Sequence, residues 1–269
     1  MVNEYAALLA SGVSPSAADA LMMGARHGVW LADEGPAGGQ QQAQKQASAA
    51  TRNADNEFYS QDTGPWTGGN IWESGEVLAR LLTAPGGSWT RALPDAKVVD
   101  VGCGTGVVGL AAALQGAHVT LTDRVLACAE HNRDVNLAPE EKWRCELSRL
   151  SWGDLAAAEQ LRSARGPFDF IFTADTLYNS ADQESLADTI AALADRSAHT
   201  QVVVATPNSG EIFLPLSHVG HGFDITDISD EPEVKAAFQS AAEAVGGAAK
   251  VAARHASRRQ VKIYSMRQR

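Results

Sequence analysis

A glycine-rich turn between a buried strand and a helix is the feature that most constrains this chain. The run Lys97–Val101 has the composition of a buried strand, and Val107–Leu114 has helical character. Between them stand Gly102, Gly104 and Gly106. Such a turn lets a ligand approach the backbone closely and directs amide N–H groups at it. The pattern therefore indicates a nucleotide-cofactor site in an α/β fold.

The alternation of strands and helices continues along the chain. Further strand-like runs lie at 118–122, 168–173 and 201–205, helical patterns at 124–136, 182–194 and 233–244, and an alternating closing strand at 260–266. Strands that alternate with helices form mostly parallel sheets covered by helices on both faces. We therefore expect one doubly wound α/β sheet from about residue 97 onward.

An acidic residue strengthens the cofactor interpretation. Asp123 ends the second predicted strand, about twenty residues after the turn, where a carboxylate accepts hydrogen bonds from ribose hydroxyls. The NAD fingerprint requires a glycine at its sixth position, and Val107 stands there. The series Gly102 to Gly106 is GxGxG instead, which favours S-adenosylmethionine over NAD.

The net charge and the cysteine content argue against some classes of partner and site. The formal net charge is -10, which opposes attraction to nucleic acid or to an anionic membrane, so we expect neither as a partner. Three cysteines without metal-ligand spacing predict neither disulfides nor a metal site, and they fit a reducing compartment. We expect a cytoplasmic monomer, with a nuclear or organellar location left open.

Two domains of unequal character are predicted. Residues 1–60 form an N-terminal extension, with short helices over 3–30 and a flexible Gln/Gly-rich linker over 34–56. Residues 61–269 form the α/β domain. The segment 211–231 is predicted as a loop, in which His218 and His221 lack metal-binding spacing, so no metal is expected.

Several motifs between residues 66 and 205 resemble those of one protein family. They are 98–110 with the glycine turn, 116–123 ending at Asp123, 69–75 with Trp72, Asn132 with Asn136, 150–153 with Trp152, and 174–178 with the DxxY pair Asp175 and Tyr178. This set resembles the seven-stranded methyltransferases, specifically the family 16 protein lysine methyltransferases. The resemblance covers about residues 66–205, and it departs at Ser151, where the family carries an acidic residue.

The resemblance implies a fold, a cofactor and its contacts. The fold would be a Rossmann-like seven-stranded sheet, mostly parallel with an antiparallel last strand, that binds S-adenosylmethionine. Gly102, Cys103 and Gly104 would contact the methionine part, and Asp123 would hold the ribose. Trp152 would lie by the adenine, Trp72 would line the cofactor pocket, and Ala174 would offer backbone beside the sulfonium.

Asp175 and Tyr178 follow a strand at its carboxyl end, where open α/β sheets bind ligands. A carboxylate can orient an amine, and an aromatic face can stabilise a cation, so the pair is assigned to the methyl acceptor. The alternative is that Asp175 caps the following turn and Tyr178 packs in the core. For Asn132 and Asn136, local hydrogen bonds are as good an explanation as ligand contact.

The function implied is methylation of a lysine side chain in a protein substrate. One alternative is a small-molecule methyltransferase, with residues 3–30 as a cap over the cleft; another is a catalytically silent binding module. An open cleft at Tyr178 favours the protein substrate.

Overall fold

The computed structural model describes residues 68–69, 71–195, 200–207, 222–243 and 261–268. The predicted N-terminal extension lies outside these residues, as do His218 and His221. The helices are α1 Glu73–Leu82, α2 Ser88–Ala92, α3 Val107–Leu114, α4 Ala127–Asn136, α5 Leu155–Arg165, α6 Gln183–Leu193 and α7 Pro232–Glu243. The strands are β1 Lys97–Val101, β2 His118–Asp123, β3 Cys145–Arg149, β4 Phe170–Ala174, β5 Gln201–Pro207, β6 Phe223–Asp227 and β7 Val261–Gln268.

The seven strands form one sheet in the order β3-β2-β1-β4-β5-β7-β6. Strands β1 to β5 pair in parallel, whereas β7 is antiparallel to both of its neighbours, β5 and β6. The expected fold, a Rossmann-like and mostly parallel sheet with an antiparallel last strand, is confirmed. No helix in the described part of the chain is long and apolar enough to span a bilayer.

Alternating side chains along the central strands build a core on each face of the sheet. Val98 and Phe172 belong to the core with α1, α3 and α7, whereas their neighbours Val99 and Ile171 belong to the core with α5 and α6. Because both faces are buried, these strands are near-continuous apolar runs, as the sequence indicated.

Two strands were not predicted. β3 carries Glu146, Ser148 and Arg149 at the sheet edge, and it lacks the β-branched run by which a strand is found. β6 lies within the segment 211–231 that was predicted as a loop, and that prediction is wrong for Phe223–Asp227. This edge strand is held by its antiparallel ladder to β7, a pairing that a polar single sequence does not reveal.

The strand order reverses between β1 and β4. From β1 the chain proceeds to β2 and β3 on one side, and from β4 to β5 on the other. In open α/β sheets such a reversal leaves a crevice beyond the carboxyl ends of the two central strands, and ligands bind there. The glycine turn follows β1 and the DxxY segment follows β4, so both border this crevice.

Candidate functional site

One cavity of about 300 Å³ opens at the carboxyl ends of β1 and β4. This volume is at the lower end of the range of about 300–1,000 Å³ for small-molecule sites. All nine predicted site residues line it: Trp72, Gly102, Cys103, Gly104, Asp123, Trp152, Ala174, Asp175 and Tyr178. The sheet thus brings together residues that are up to about a hundred positions apart, as the expectation from the motifs requires.

The glycine turn is shaped for close approach rather than for donating free amides. Gly102 and Gly104 have positive φ values of 71° and 54°. A Cβ on Gly102 would lie 2.8 Å from the Trp152 ring, and one on Gly104 would lie 2.8 Å from the Gly68 carbonyl oxygen. The N–H groups of Gly102 and Cys103 both donate to the Thr122 carbonyl at 2.9 Å. We expected the amides of the turn to point at a ligand. In the structure these two N–H groups donate to a carbonyl of β2 instead.

Asp123 binds the turn from the end of β2. Its Oδ2 accepts a hydrogen bond from the Gly104 N–H at 2.9 Å, and its Oδ1 accepts one from the Val125 N–H at 3.2 Å. These two bonds fix the carboxylate at the cavity wall, at the position expected for the group that holds a ribose.

Asp100 is a site residue that sequence reasoning missed. It is 2% exposed on β1, it lines the cavity, and its Oδ2 accepts a hydrogen bond from the Gly109 N–H at 2.9 Å. A Cβ on Gly109 would overlap Leu121 and crowd Asp100, so a glycine is needed for this approach. Burial raises the pKa of Asp100 to about 7, and the nearby Asp123 adds to the rise. The sequence did contain a signal for this residue, since Asp100 is an acidic residue within an apolar run, two residues before the turn.

Two aromatic side chains stand at the cavity mouth and form what we call the aromatic rim, Trp72 and Tyr178. They are 50% and 64% exposed, although large aromatic side chains are usually buried. The alternative that Tyr178 packs in the core is therefore wrong. The neighbouring Leu177 is the buried residue of this loop, and the hydroxyls of Thr173 and Thr176 hold the loop together at 2.7 Å.

Asp175 faces the N-terminus of α1. Its Oδ2 accepts hydrogen bonds from the Ser74 N–H at 2.8 Å and the Gly75 N–H at 3.2 Å, and its Oδ1 accepts one from the Ser74 hydroxyl at 2.7 Å. Burial raises the pKa of Asp175, and these hydrogen bonds oppose the rise. The carboxylate thus caps a helix a hundred residues earlier in the chain, not the turn that follows it.

The paired asparagines have a structural role. Asn132 Nδ2 donates to the Thr105 carbonyl at 2.8 Å, and Asn136 Nδ2 donates to the Asn132 carbonyl at 2.8 Å. Both are buried on α4. Asn132 holds this helix against the glycine turn and Asn136 bonds within the helix, which is the local role that the sequence left open beside ligand contact.

Comparison with known proteins adds a family and several relatives. The model of the family described as lysine methyltransferase matches residues 54–212. The chain is 35% identical over 111 residues to the Mus musculus protein N-lysine methyltransferase METTL21A, covering 40% of this chain and 47% of that protein. It is 34% identical over 113 residues to the Bos taurus protein-lysine methyltransferase METTL21E, covering 41% of this chain and 38% of that protein. The matched segment therefore spans less than half of the length of each relative.

Proposed function

The chain belongs to the lysine methyltransferase family, and we propose that it transfers methyl groups from S-adenosylmethionine to a lysine side chain of a protein substrate. The observation that carries the proposal is that the glycine turn and the DxxY loop line the same cavity. Its relatives METTL21A and METTL21E are protein-lysine methyltransferases by name, which supports the same acceptor class.

The residues of the cavity fit this cofactor. The absent Cβ atoms of Gly102 and Gly104 let Trp152 and Gly68 lie close against the turn, and the backbone of both glycines lines the cavity. Asp100 and Asp123 on the same wall provide negative charge for a ligand that carries a sulfonium and an ammonium group. The half-buried Trp152 offers an aromatic face to a flat base.

We assign the contacts accordingly. Gly102, Cys103 and Gly104 hold the methionine part, and Asp123 holds the ribose. The further cofactor contacts are Trp152 at the adenine, Trp72 at the pocket wall and the Ala174 backbone beside the sulfonium. These residues fix the cofactor, so that only the acceptor has to be aligned for each transfer.

S-adenosylmethionine, when bound, supplies an electrophilic methyl group. The work of the protein is to hold the neutral acceptor nitrogen in line with that methyl group at near-attack distance. Tyr178 stands at the mouth with its ring exposed, where its face stabilises the ammonium that the transfer produces. The proton of the incoming lysine ammonium passes to water at the open mouth before transfer, because only the neutral amine has a lone pair to donate.

A protein acceptor accounts for the open rim better than a small molecule does. Tyr178 is 64% exposed, so an elongated lysine side chain on a large partner can reach the cavity. The formal net charge of -10 also favours association with a basic protein surface. Cys103 and Cys145 are buried and form no disulfide, which fits our proposal that the chain works in a reducing compartment such as the cytoplasm.

The first test is calorimetric titration of the full chain with S-adenosylmethionine and S-adenosylhomocysteine. We expect saturable binding, lost or strongly weakened in Asp123→Ala and unchanged in Glu159→Ala, which removes an exposed carboxylate on α5. The second test incubates the chain with cell-extract protein and tritiated S-adenosylmethionine, followed by mass spectrometry of the labelled bands.

The outcomes separate the alternatives. Label on lysine supports the proposal, whereas label in a small-molecule product other than S-adenosylmethionine supports the small-molecule alternative. Folded protein that binds neither cofactor form would overturn the enzyme assignment and leave a binding module.

A further inference from the structure

The residue that precedes helix α1 does not cap it with its side chain. Trp72 occupies the N-cap position in an extended conformation and makes no side-chain hydrogen bond to the helix. The first turn of a helix leaves N–H groups without backbone acceptors, and the usual N-cap residue accepts from the second or third of them. In α1 those two residues are Ser74 and Gly75, and Ser74 is fully buried. Some other group must accept their hydrogen bonds.

Asp175 is that group. It accepts from both N–H groups and from the Ser74 hydroxyl, so three of about four lone-pair positions on its carboxylate are in use. All three donors belong to α1. The carboxylate that faces an acceptor amine at the cavity mouth is therefore already hydrogen-bonded to α1.

The backbone of the loop is strained at Asp175, the residue that makes this contact. Asp175 has a φ of 54°, a left-handed conformation that non-glycine residues seldom adopt. Strained residues persist only where their surroundings hold them, and they concentrate at functional sites. Here the Asp175 N–H donates to the Ala205 carbonyl of β5 at 3.0 Å, while the carboxylate is held by α1.

The contact joins the two sides of the aromatic rim. Trp72 lies two positions before Ser74, and Tyr178 lies three positions after Asp175. Gly75 brings α1 close to β4, since a Cβ there would lie 3.9 Å from the Ala174 Cβ. Ser74 and Asp175 are thus the polar link between the segment that carries Trp72 and the loop that carries Tyr178.

We propose that Ser74 and Asp175 form a clasp that fixes Trp72 relative to Tyr178, so that Asp175 is a positioning residue acting through α1 and does not act on the acceptor amine. This inference rests on the proposed function. It assigns a role to Ser74 and replaces the orientation of the amine that the sequence suggested for Asp175.

The test compares Ser74→Ala, Asp175→Ala and Asp175→Asn in the full chain. An asparagine oxygen can accept from the two N–H groups, and its amide nitrogen can donate to the Ser74 hydroxyl, so Asp175→Asn keeps the clasp without the charge. Ser163→Ala is the matched control, because its hydroxyl donates to the Glu159 carbonyl on the exposed side of α5. The readouts are the dissociation constant of S-adenosylhomocysteine and the kcat and KM of methyl transfer to the labelled acceptor.

A clasp predicts that Ser74→Ala weakens S-adenosylhomocysteine binding by about three- to tenfold and lowers kcat by a larger factor, since small misplacements cost rate steeply. Asp175→Ala has a larger effect, Asp175→Asn recovers at least about tenfold of the lost kcat, and the Ser74→Ala/Asp175→Ala double variant is no worse than Asp175→Ala. Ser163→Ala leaves both readouts unchanged.

The opposite pattern overturns the clasp. If Asp175→Asn is as inactive as Asp175→Ala while S-adenosylhomocysteine binding is normal in every variant, the carboxylate acts on the amine. Should Asp175→Ala fail to fold, normal binding and normal kcat in Ser74→Ala would be sufficient to reject the proposal. A wild-type chain that binds the cofactor product but methylates nothing refutes the proposed function alone, because the binding data still decide on the clasp. A chain that binds neither form refutes both.

Discussion

The cofactor wall, which comprises residues 100–104 with Asp123, is built from backbone, the buried carboxylate of Asp100 and the half-buried carboxylate of Asp123, whereas the aromatic rim is built from two exposed side chains. On the wall, positive φ values and absent Cβ atoms define the shape. On the rim, Trp72 and Tyr178 stand in solvent and depend on the clasp for their position. The difference fits a site with one constant ligand and one macromolecular acceptor, because a wall of backbone fixes a single shape, whereas exposed side chains at the mouth are within reach of a large partner.

The largest effect is expected from breaking the wall with Gly102→Ala. The new Cβ would lie 2.8 Å from the Trp152 ring and from the Thr176 side chain, in addition to the strain of a φ of 71°. Overpacking of about 1–3 kcal/mol predicts a loss of cofactor affinity of up to about 100-fold. Gly116→Ala is the control, since it carries the same kind of strain at a φ of 90° with its nearest neighbour at 3.6 Å. Calorimetry should show Gly116→Ala binding normally, and equal losses in both variants would refute the argument.

Removal of a rim side chain should have a smaller effect, and it should change the use of the acceptor rather than cofactor affinity. Tyr178→Ala is expected to leave cofactor affinity and thermal stability unchanged but to lower kcat/KM for the acceptor by about 10- to 30-fold, the size of a desolvated cation–π contact. Tyr178→Phe should retain most of the activity, since the ring face remains. Trp143→Ala, at a similarly exposed aromatic residue outside the cavity, serves as the control. A drop in cofactor affinity in Tyr178→Ala would show that rim and wall are not separate.

The buried charge of the wall predicts a pH dependence. Burial raises the pKa of Asp100 to about 7, and a cationic ligand binds the ionised form better, so affinity for S-adenosylmethionine should rise with pH. A pKa near 7 gives a gain of about five- to tenfold between about pH 6 and pH 8. The pKa of Asp100 in the folded chain lies above its ordinary value of 3.8, so the free energy of unfolding decreases as the pH rises from 3.8 to about 7.

Titration calorimetry at several pH values checks this dependence. Asp100→Asn should flatten the affinity profile, because the amide keeps an oxygen for the Gly109 N–H without a titrating charge. An unchanged profile in Asp100→Asn would show that the pH dependence does not come from Asp100.

The glycine turn of the wall could be predicted from local patterns, whereas the contact that links the two sides of the rim could not. Gly102, Gly104 and Asp123 are local signals, because a turn and a strand end are encoded within about twenty residues. Asp100 was missed because a carboxylate within an apolar strand has no periodicity of its own. The contact between Ser74 and Asp175 spans about a hundred residues, and no spacing in one sequence indicates it.

The same distinction holds for the fold. The central strands were predicted because burial on both faces makes them continuous apolar runs, and the helix Val107–Leu114 agrees with its prediction residue for residue. The edge strands β3 and β6 were not found, since each is stabilised by a ladder to one neighbour and keeps polar side chains. Local composition therefore determines the centre of the sheet, and pairing between distant segments determines its edges.

The smallest effect should come from Cys103→Ala. This variant tests whether the wall binds the cofactor through its backbone or through a side chain. Cys103 lies in the middle of the wall with its side chain buried in the core, and its backbone N–H donates to the Thr122 carbonyl, a bond that alanine retains. Burial raises the pKa of the thiol, so at neutral pH it carries no charge that a cofactor could use. If the wall is backbone, cofactor affinity changes by less than about threefold, which is under 1 kcal/mol. A tenfold loss by calorimetry, with normal thermal stability, would mean that the Cys103 side chain is itself part of the binding surface.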